Sequence, residues 1–117
     1  MNIKPLIRTE LEKITENIND AYPSDWANFP IIQYIEEDNK THTKTDDKEQ
    51  LAYIRYKIDI WNNGSTSDIA VAVDGVLSSL GLKRIQCIDT PEPNQLKHKV
   101  MRFEGIIDVN NMRVYNP

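Results

Sequence analysis

The first repeating pattern of apolar residues lies at the start of the chain. Between residues 3 and 19, apolar side chains recur at spacings of three and four, which places them along one side of a helix. Asn2 is suited to cap this helix, and Pro5 is tolerated in its first turn. Pro23 then disfavours helical geometry in the residue before it. The pattern predicts an amphipathic helix followed by a loop.

A second helix is predicted from residues 65–68 to about Leu80. Its opening Ser-Thr-Ser-Asp run offers hydroxyl and carboxylate caps. Gly81 followed by Leu82 is typical of a helix C-terminus at which a glycine adopts the left-handed backbone conformation and an apolar residue follows it. The apolar side of this helix is formed by Ile69, Ala72, Val73, Val76, Leu77 and Leu80.

The clearest pattern in the chain is the alternation between Leu51 and Trp61. Apolar residues occupy every second position, and most of the positions between them are polar or charged. A period of two is typical of a strand with one buried face. The turn residues Asn62-Asn63-Gly64 end this strand. Further strands are predicted over residues 29–36, 83–89, 98–109 and 112–115.

Residues 37–50 contain no aliphatic or aromatic side chain. Because such a segment cannot bury an apolar face, we expect either a long exposed loop or the frayed tip of a hairpin.

These elements predict an α+β fold in the order α-β-(long loop)-β-α-β-β. No repeated βαβ unit is present, so a mostly antiparallel sheet packed by two helices is the economical arrangement. A chain of 117 residues suits one hydrophobic core, and we expect a single domain over residues 1–117. The predicted core is formed by Ile7, Leu11, Ile14, Ile54, Tyr56, Ile58, Val73, Val76, Leu77 and Leu80.

Charge and hydropathy then narrow the classes of function. A net charge of −4 and a pI near 5.1 give no general attraction to phosphate backbones, so we expect no specific binding of nucleic acid. No apolar run approaches the roughly 20 residues that span a bilayer, and the first residues lack the apolar core of a signal peptide. We therefore expect a protein that stays in the cytoplasm and out of the membrane.

Catalytic and metal-binding patterns are missing from the sequence. Cys87 is the single cysteine, which excludes an internal disulfide or a cysteine zinc site, and we expect it to be buried in a strand as a small apolar residue. There is no glycine-rich phosphate loop, Gly-x-Ser-x-Gly elbow or His-Glu-x-x-His pattern. We expect no catalytic residue, no cofactor and no metal, and an enzyme is the less favoured alternative.

Two charged clusters are candidates for contact with a partner. One cluster lies in the polar segment, where the competing interpretation is a solvated loop. The other lies around the start of a strand, where the competing interpretation is the outer face of an amphipathic strand. For the aromatic residues, core packing and subunit contacts are favoured over a platform for single-stranded nucleic acid. The clusters are Asp46, Asp47 and Lys48 in the polar segment, and Lys97, His98, Lys99 and Arg102 around the start of a strand.

The order of elements resembles that of the small tail terminator and tail completion proteins of long-tailed phages. The resemblance covers nearly the whole chain. It rests on the first helix, the Phe29-Pro30-Ile31-Ile32-Gln33-Tyr34 strand, the polar segment, the strand over 53–61, the capped second helix, and the Met101-Arg102-Phe103-Glu104-Gly105 strand.

The resemblance implies a structural, non-enzymatic subunit that forms a hexameric ring on the end of the tail tube. Its partners would be further copies of itself, the tail tube protein and the head-tail connector protein. It would be found in the host cytoplasm during assembly and then at the head-proximal end of the virion tail. Two alternatives stay open: a head-closure or connector subunit of the same particle, and a monomeric regulator or binding module.

Overall fold

Two helices lie against one face of a six-stranded sheet in the computed structural model of this chain, which describes residues 3–45, 48–108, 110 and 113–115. The elements are α1 (Lys4–Leu11), β1 (Ile18–Asn19), β2 (Ile31–Thr45), β3 (Lys48–Asn62), α2 (Ser67–Ser79), β4 (Lys83–Thr90), β5 (Lys97–Asp108) and β6 (Arg113–Tyr115).

The sheet has the order β1-β2-β3-β5-β4, with β6 also paired to β5. Every pairing is antiparallel except that of β1 with β2. β4 and β6 pair with the same edge of β5, one after the other along the strand: β4 with residues 98–104 and β6 with residues 106–108. The predicted α+β class and the mostly antiparallel sheet are confirmed.

The core lies between the helices and the sheet, as the two apolar helix faces and the alternating strand require. On β3 the even-numbered residues from Ala52 to Ile60 are fully buried. They meet Ile7 and Leu11 of α1, Val73 and Leu77 of α2, and the inward residues of β5. Seven of the ten predicted core residues belong to this cluster, and the other three, Ile14, Val76 and Leu80, are partly buried and pack against it.

The first helix is shorter than predicted. It ends at Leu11, and Ile18 lies in β1 beside β2 instead of on the helix. Residues 14–19 are rich in isoleucine, threonine and asparagine, which are weaker helix formers than alanine or leucine. Thr15 donates its hydroxyl to the Pro30 carbonyl at 2.9 Å, which ties this segment to the start of β2. Asn2, the predicted cap, lies outside the described residues.

The long loop expected over residues 37–50 is wrong, and the hairpin alternative is closer to the structure. β2 runs on to Thr45 and β3 starts at Lys48, and the two strands stay paired from Ile31↔Trp61 to Thr45↔Lys48. Backbone hydrogen bonds between strands need no aliphatic side chain, and threonine, found at positions 41, 43 and 45, favours strands. Asp46 and Asp47 lie outside the described residues.

The end of α2 matches its prediction in detail. Gly81 has φ +100°, in the left-handed region. Its N–H donates to Ser78 and the Leu82 N–H donates to Leu77, at 2.9 and 3.3 Å. This is the Schellman pattern, and the buried Leu82 closes it against the core.

The molecule is elongated along its strands. Its principal extents are 54 × 22 × 21 Å, and the paired β2 and β3 set the long dimension. Neither helix of the described chain has the length and apolar character to cross a membrane.

Candidate functional site

β4 forms an open edge of the sheet. From Lys83 to Asp89 every residue is exposed, and the contact with α2 includes an ion pair between Arg84 and Asp74 at 3.6 Å. Ile85 and Ile88 are 43% and 46% exposed. The expectation that Cys87 is buried is wrong, because it stands on this exposed strand. An exposed edge with apolar side chains is the kind of surface that pairs with another chain.

The opposite edge of the sheet is open over part of its length. β1 pairs with β2 only at Ile32 and Gln33, so β2 beyond Gln33 pairs with β3 alone. This free stretch begins with Tyr34 and continues into the acidic run Glu36-Glu37-Asp38. A register shift between Glu36 and Asp38 marks a β-bulge there. The two open edges therefore differ in charge as well as in position.

A charge network crosses the sheet face that the helices leave open. The Glu37 carboxylate lies 3.1 Å from Arg102 Nε and 3.3 Å from Arg55 Nε. Arg102 also donates to the Gln86 side-chain oxygen on β4. Arg102 thus joins β2, β5 and β4 within one subunit. Arg102 was predicted as a partner contact, and within one subunit its guanidinium already has these partners.

His98 lies near the start of β5 between two carboxylates. Nε2 is 2.8 Å from Asp59 Oδ1, and Nδ1 is 2.8 Å from Glu92 Oε1. The Nδ1 contact lacks hydrogen-bond geometry, so the attraction there depends on the charge of the ring. The side chains of His98 and Asp59 are only 10% and 4% exposed. Lys57 lies 3.6 Å from the second oxygen of Asp59.

Aromatic rings cover this histidine. Trp61 stacks on His98 with ring centres 4.5 Å apart, and its indole N–H donates to Glu92 at 3.2 Å. Trp26 packs edge-on against Trp61 at 5.2 Å, and Tyr22 contacts both tryptophans. The rings close the outer face of the sheet at the end where β2 begins.

The His98 cluster holds segments together more readily than it moves protons. A general base needs a ring nitrogen free to accept a proton. Both nitrogens of His98 face carboxylates that come from β3 and from the 91–96 loop, while Trp61 covers the ring. The open depression beside it, of about 640 Å³, is lined by residues of both charges, including Asp89, Lys97 and Lys99. This geometry favours a structural role.

The structure does not bring Lys48, the described member of the first predicted contact cluster, near the second cluster. Lys48 and Asn62 are the two ends of β3, and Lys97 pairs with Asn62. At about 3.3 Å per residue, Lys48 and Lys97 lie roughly 45 Å apart along the strand, and Asp46 and Asp47 lie outside the described residues. Lys99 lies 3.0 Å from Asp89 on the neighbouring β4.

Sequence reasoning missed Asp59, Glu92 and Trp61 as partners of His98. Asp59 and His98 are separated by 39 residues, and only the pairing of β3 with β5 brings them together. The sequence signal for this site was Asp59, a carboxylate within the alternating strand and two residues before Trp61.

A scan against protein-family models finds no matching family, and a search of curated proteins finds no significant match. Within the described ranges, no group of three or more histidine, cysteine, aspartate and glutamate side chains is arranged to hold a metal ion.

Proposed function

We propose that this protein is a phage tail terminator, a structural subunit that assembles as a closed ring, hexameric by its resemblance, on the end of the tail tube. The ring would stop tube polymerisation and offer a surface to the head-tail connector. The support is the resemblance in element order together with the open edges of the sheet.

The observation that carries the proposal is the exposed β4 strand. A monomeric protein usually shields its edge strands with charges, bulges or a covering segment, because unpaired backbone groups invite other chains. β4 carries a bulge between Arg84 and Gln86, but it also exposes Ile85 and Ile88 on a strand whose outer edge has no strand beside it. A ring subunit needs such a surface, since each copy must meet a different surface on its neighbour.

Removing the gene from a phage that encodes this protein tests the proposal. We expect tails of uncontrolled length, or tails that fail to join heads, when particles are examined by electron microscopy. The wild-type gene supplied in trans should restore uniform, joined tails. Tails of normal length that join heads without this protein would overturn the terminator function and leave a regulator or binding module ahead.

A further inference from the structure

We infer that the ring is built by pairing the β4 edge of one copy with the free stretch of β2 on the next copy, so that the sheet continues from subunit to subunit. The inference rests on the proposed ring and specifies its contact. The occupant of each open edge is thus a second copy of this chain, and the contact is between two different surfaces.

Strand direction supports this pairing. β2, β3, β5 and β4 alternate in direction across the sheet. When subunits are related by rotation about an axis along the strands, β4 and the neighbour's β2 therefore run antiparallel. Antiparallel pairing forms well-aligned backbone hydrogen bonds.

The register of the sheet places residues of opposite charge at the two edges of the same row of paired residues. Lys83 pairs with Glu104, Glu104 with Arg55, and Arg55 with Asp38, so Lys83 and Asp38 stand at the two ends of one row. Without a shift between subunits, the Lys83 ammonium would face the neighbour's Asp38 carboxylate. Cross-strand pairs of opposite charge stabilise such a pairing, whereas like charges oppose it.

The next row repeats the complementarity on the other face of the sheet. Arg84 pairs with Phe103, Phe103 with Tyr56, and Tyr56 with Glu36. Arg84 would therefore meet the neighbour's Glu36, in addition to the partners these side chains have within one subunit: Arg84 lies 3.6 Å from Asp74 of α2, and Glu36 accepts from Tyr56. Two rows with matched charge on opposite faces define one register and one direction.

The state of Lys83 and Asp38 within one subunit agrees with an unfilled contact in the first row. Lys83 has no ion pair with any residue that the structure describes, and Asp38 has only an exposed lysine, Lys40, at 3.7 Å. The contact would span residues 83–87 of β4 and 34–38 of β2. It would stop at the neighbour's Gln33, where β1 already covers β2.

Edge charges also serve to prevent pairing, and that role predicts a different result. Protective charges need only block a neighbour, and they need no complement on the opposite edge. Edge-to-edge pairing requires that Lys83 and Asp38 of different copies lie next to each other. Disulfide trapping distinguishes the two roles, because two cysteines must approach with Cβ atoms about 4 Å apart before they join.

The test uses the full chain with Cys87→Ser as background. One preparation carries Lys83→Cys and the other carries Asp38→Cys with a larger tag, and the two are mixed near 1 mM so that contacts with a Kd of about 1 mM are populated. After mild oxidation, non-reducing gels separate the mixed dimer from the two like dimers. Lys83→Cys mixed with Asp68→Cys, an exposed position at the start of α2, is the matched control. Unchanged circular dichroism and thermal unfolding verify that each variant folds.

We expect the Lys83→Cys and Asp38→Cys mixture to give at least about tenfold more mixed dimer than the control, because a specific contact raises the effective concentration of the thiols. A chain carrying both cysteines should give a ladder that ends at the closed ring. If the amount of mixed dimer equals that of the control, or if disulfide-linked homodimers exceed the mixed dimer, the edge pairing is overturned.

Failure of the edge pairing and failure of the proposed function give different results. Failure of the cysteine pair, with tails that still need the protein, removes the edge pairing and leaves the terminator. Efficient linking, with tails that do not need the protein, keeps the edge pairing and removes the terminator.

Discussion

The Tyr56 hydroxyl is a buried polar group whose environment favours its neutral form. The side chain is fully buried, and the hydroxyl donates to Glu36 Oε1 at 3.1 Å. Burial raises the pKa of Tyr56 above its usual value of 10.0, and the charge of Glu36 and this hydrogen bond act in the same direction. The folded protein therefore holds the phenol proton more tightly than the unfolded chain does.

This difference predicts a loss of stability in alkali. Above about pH 10 the unfolded chain releases the Tyr56 proton while the folded protein keeps it, so the free energy of unfolding falls by about 1.4 kcal/mol per pH unit from this residue. Urea unfolding from about pH 9 to pH 11 should show a shallower decline for Tyr56→Phe than for the wild type. The exposed Tyr22, changed to Phe, should leave the slope as it is. Equal slopes for wild type and Tyr56→Phe would contradict this account.

At the scale of elements, the two glycines of the α2 region should respond oppositely to alanine. Gly81 has φ +100°, and an added Cβ would lie 2.5 Å from the Val114 carbonyl oxygen of β6. Gly75 lies inside α2 with no atom within 4 Å of an added Cβ. Gly81→Ala should lower the free energy of unfolding by about 1 to 3 kcal/mol, whereas Gly75→Ala should raise it by about 0.5 to 1 kcal/mol. Denaturant unfolding measures both, and a neutral Gly81→Ala would argue against the close contact with β6.

The elements that the sequence predicted correctly are those with a strong hydrophobic period. The alternation over residues 51–61 and the stripe and glycine end of α2 depend on local patterns, and the structure places them as expected. The outer half of the β2–β3 hairpin was missed because its strands pair through the backbone and have no alternating apolar side chains that would indicate a strand. β1 was missed because two residues paired to a distant strand cannot be told from the end of a helix.

The candidate site was less predictable than the fold. His98 was singled out for its basic neighbours, but its burial between Asp59 and Glu92 follows from sheet register, which the sequence does not encode locally. The exposure of Cys87 also follows from the position of β4 at the sheet edge. Apolar content alone cannot distinguish an edge strand from a central one.

At the scale of the whole molecule, the open β4 edge predicts a variant that folds but does not assemble. Ile85 is 43% exposed and lies within the proposed contact, so Ile85→Glu should change monomer stability by no more than about 0.5 kcal/mol. Supplied in trans to phage lacking the gene, it should fail to restore joined tails, because the new carboxylate would face the acidic stretch of the neighbour's β2 and like charges across paired strands repel. Leu6→Glu, at a position 41% exposed on α1, is the control and should restore them. Full restoration by Ile85→Glu would argue against this edge as the contact.

The elongated outline has a consequence for how the free protein behaves in solution. A globular chain of this length has an expected radius of gyration of about 13 Å, whereas this molecule has 15.1 Å and one axis more than twice the others. Friction in solution rises with such asymmetry, so a single copy will sediment more slowly and elute earlier from a size-exclusion column than a sphere of 13.6 kDa. Elution volume alone would report a monomer as a larger species. Light scattering or sedimentation equilibrium, which measure mass without assuming a shape, is the measurement that counts the copies.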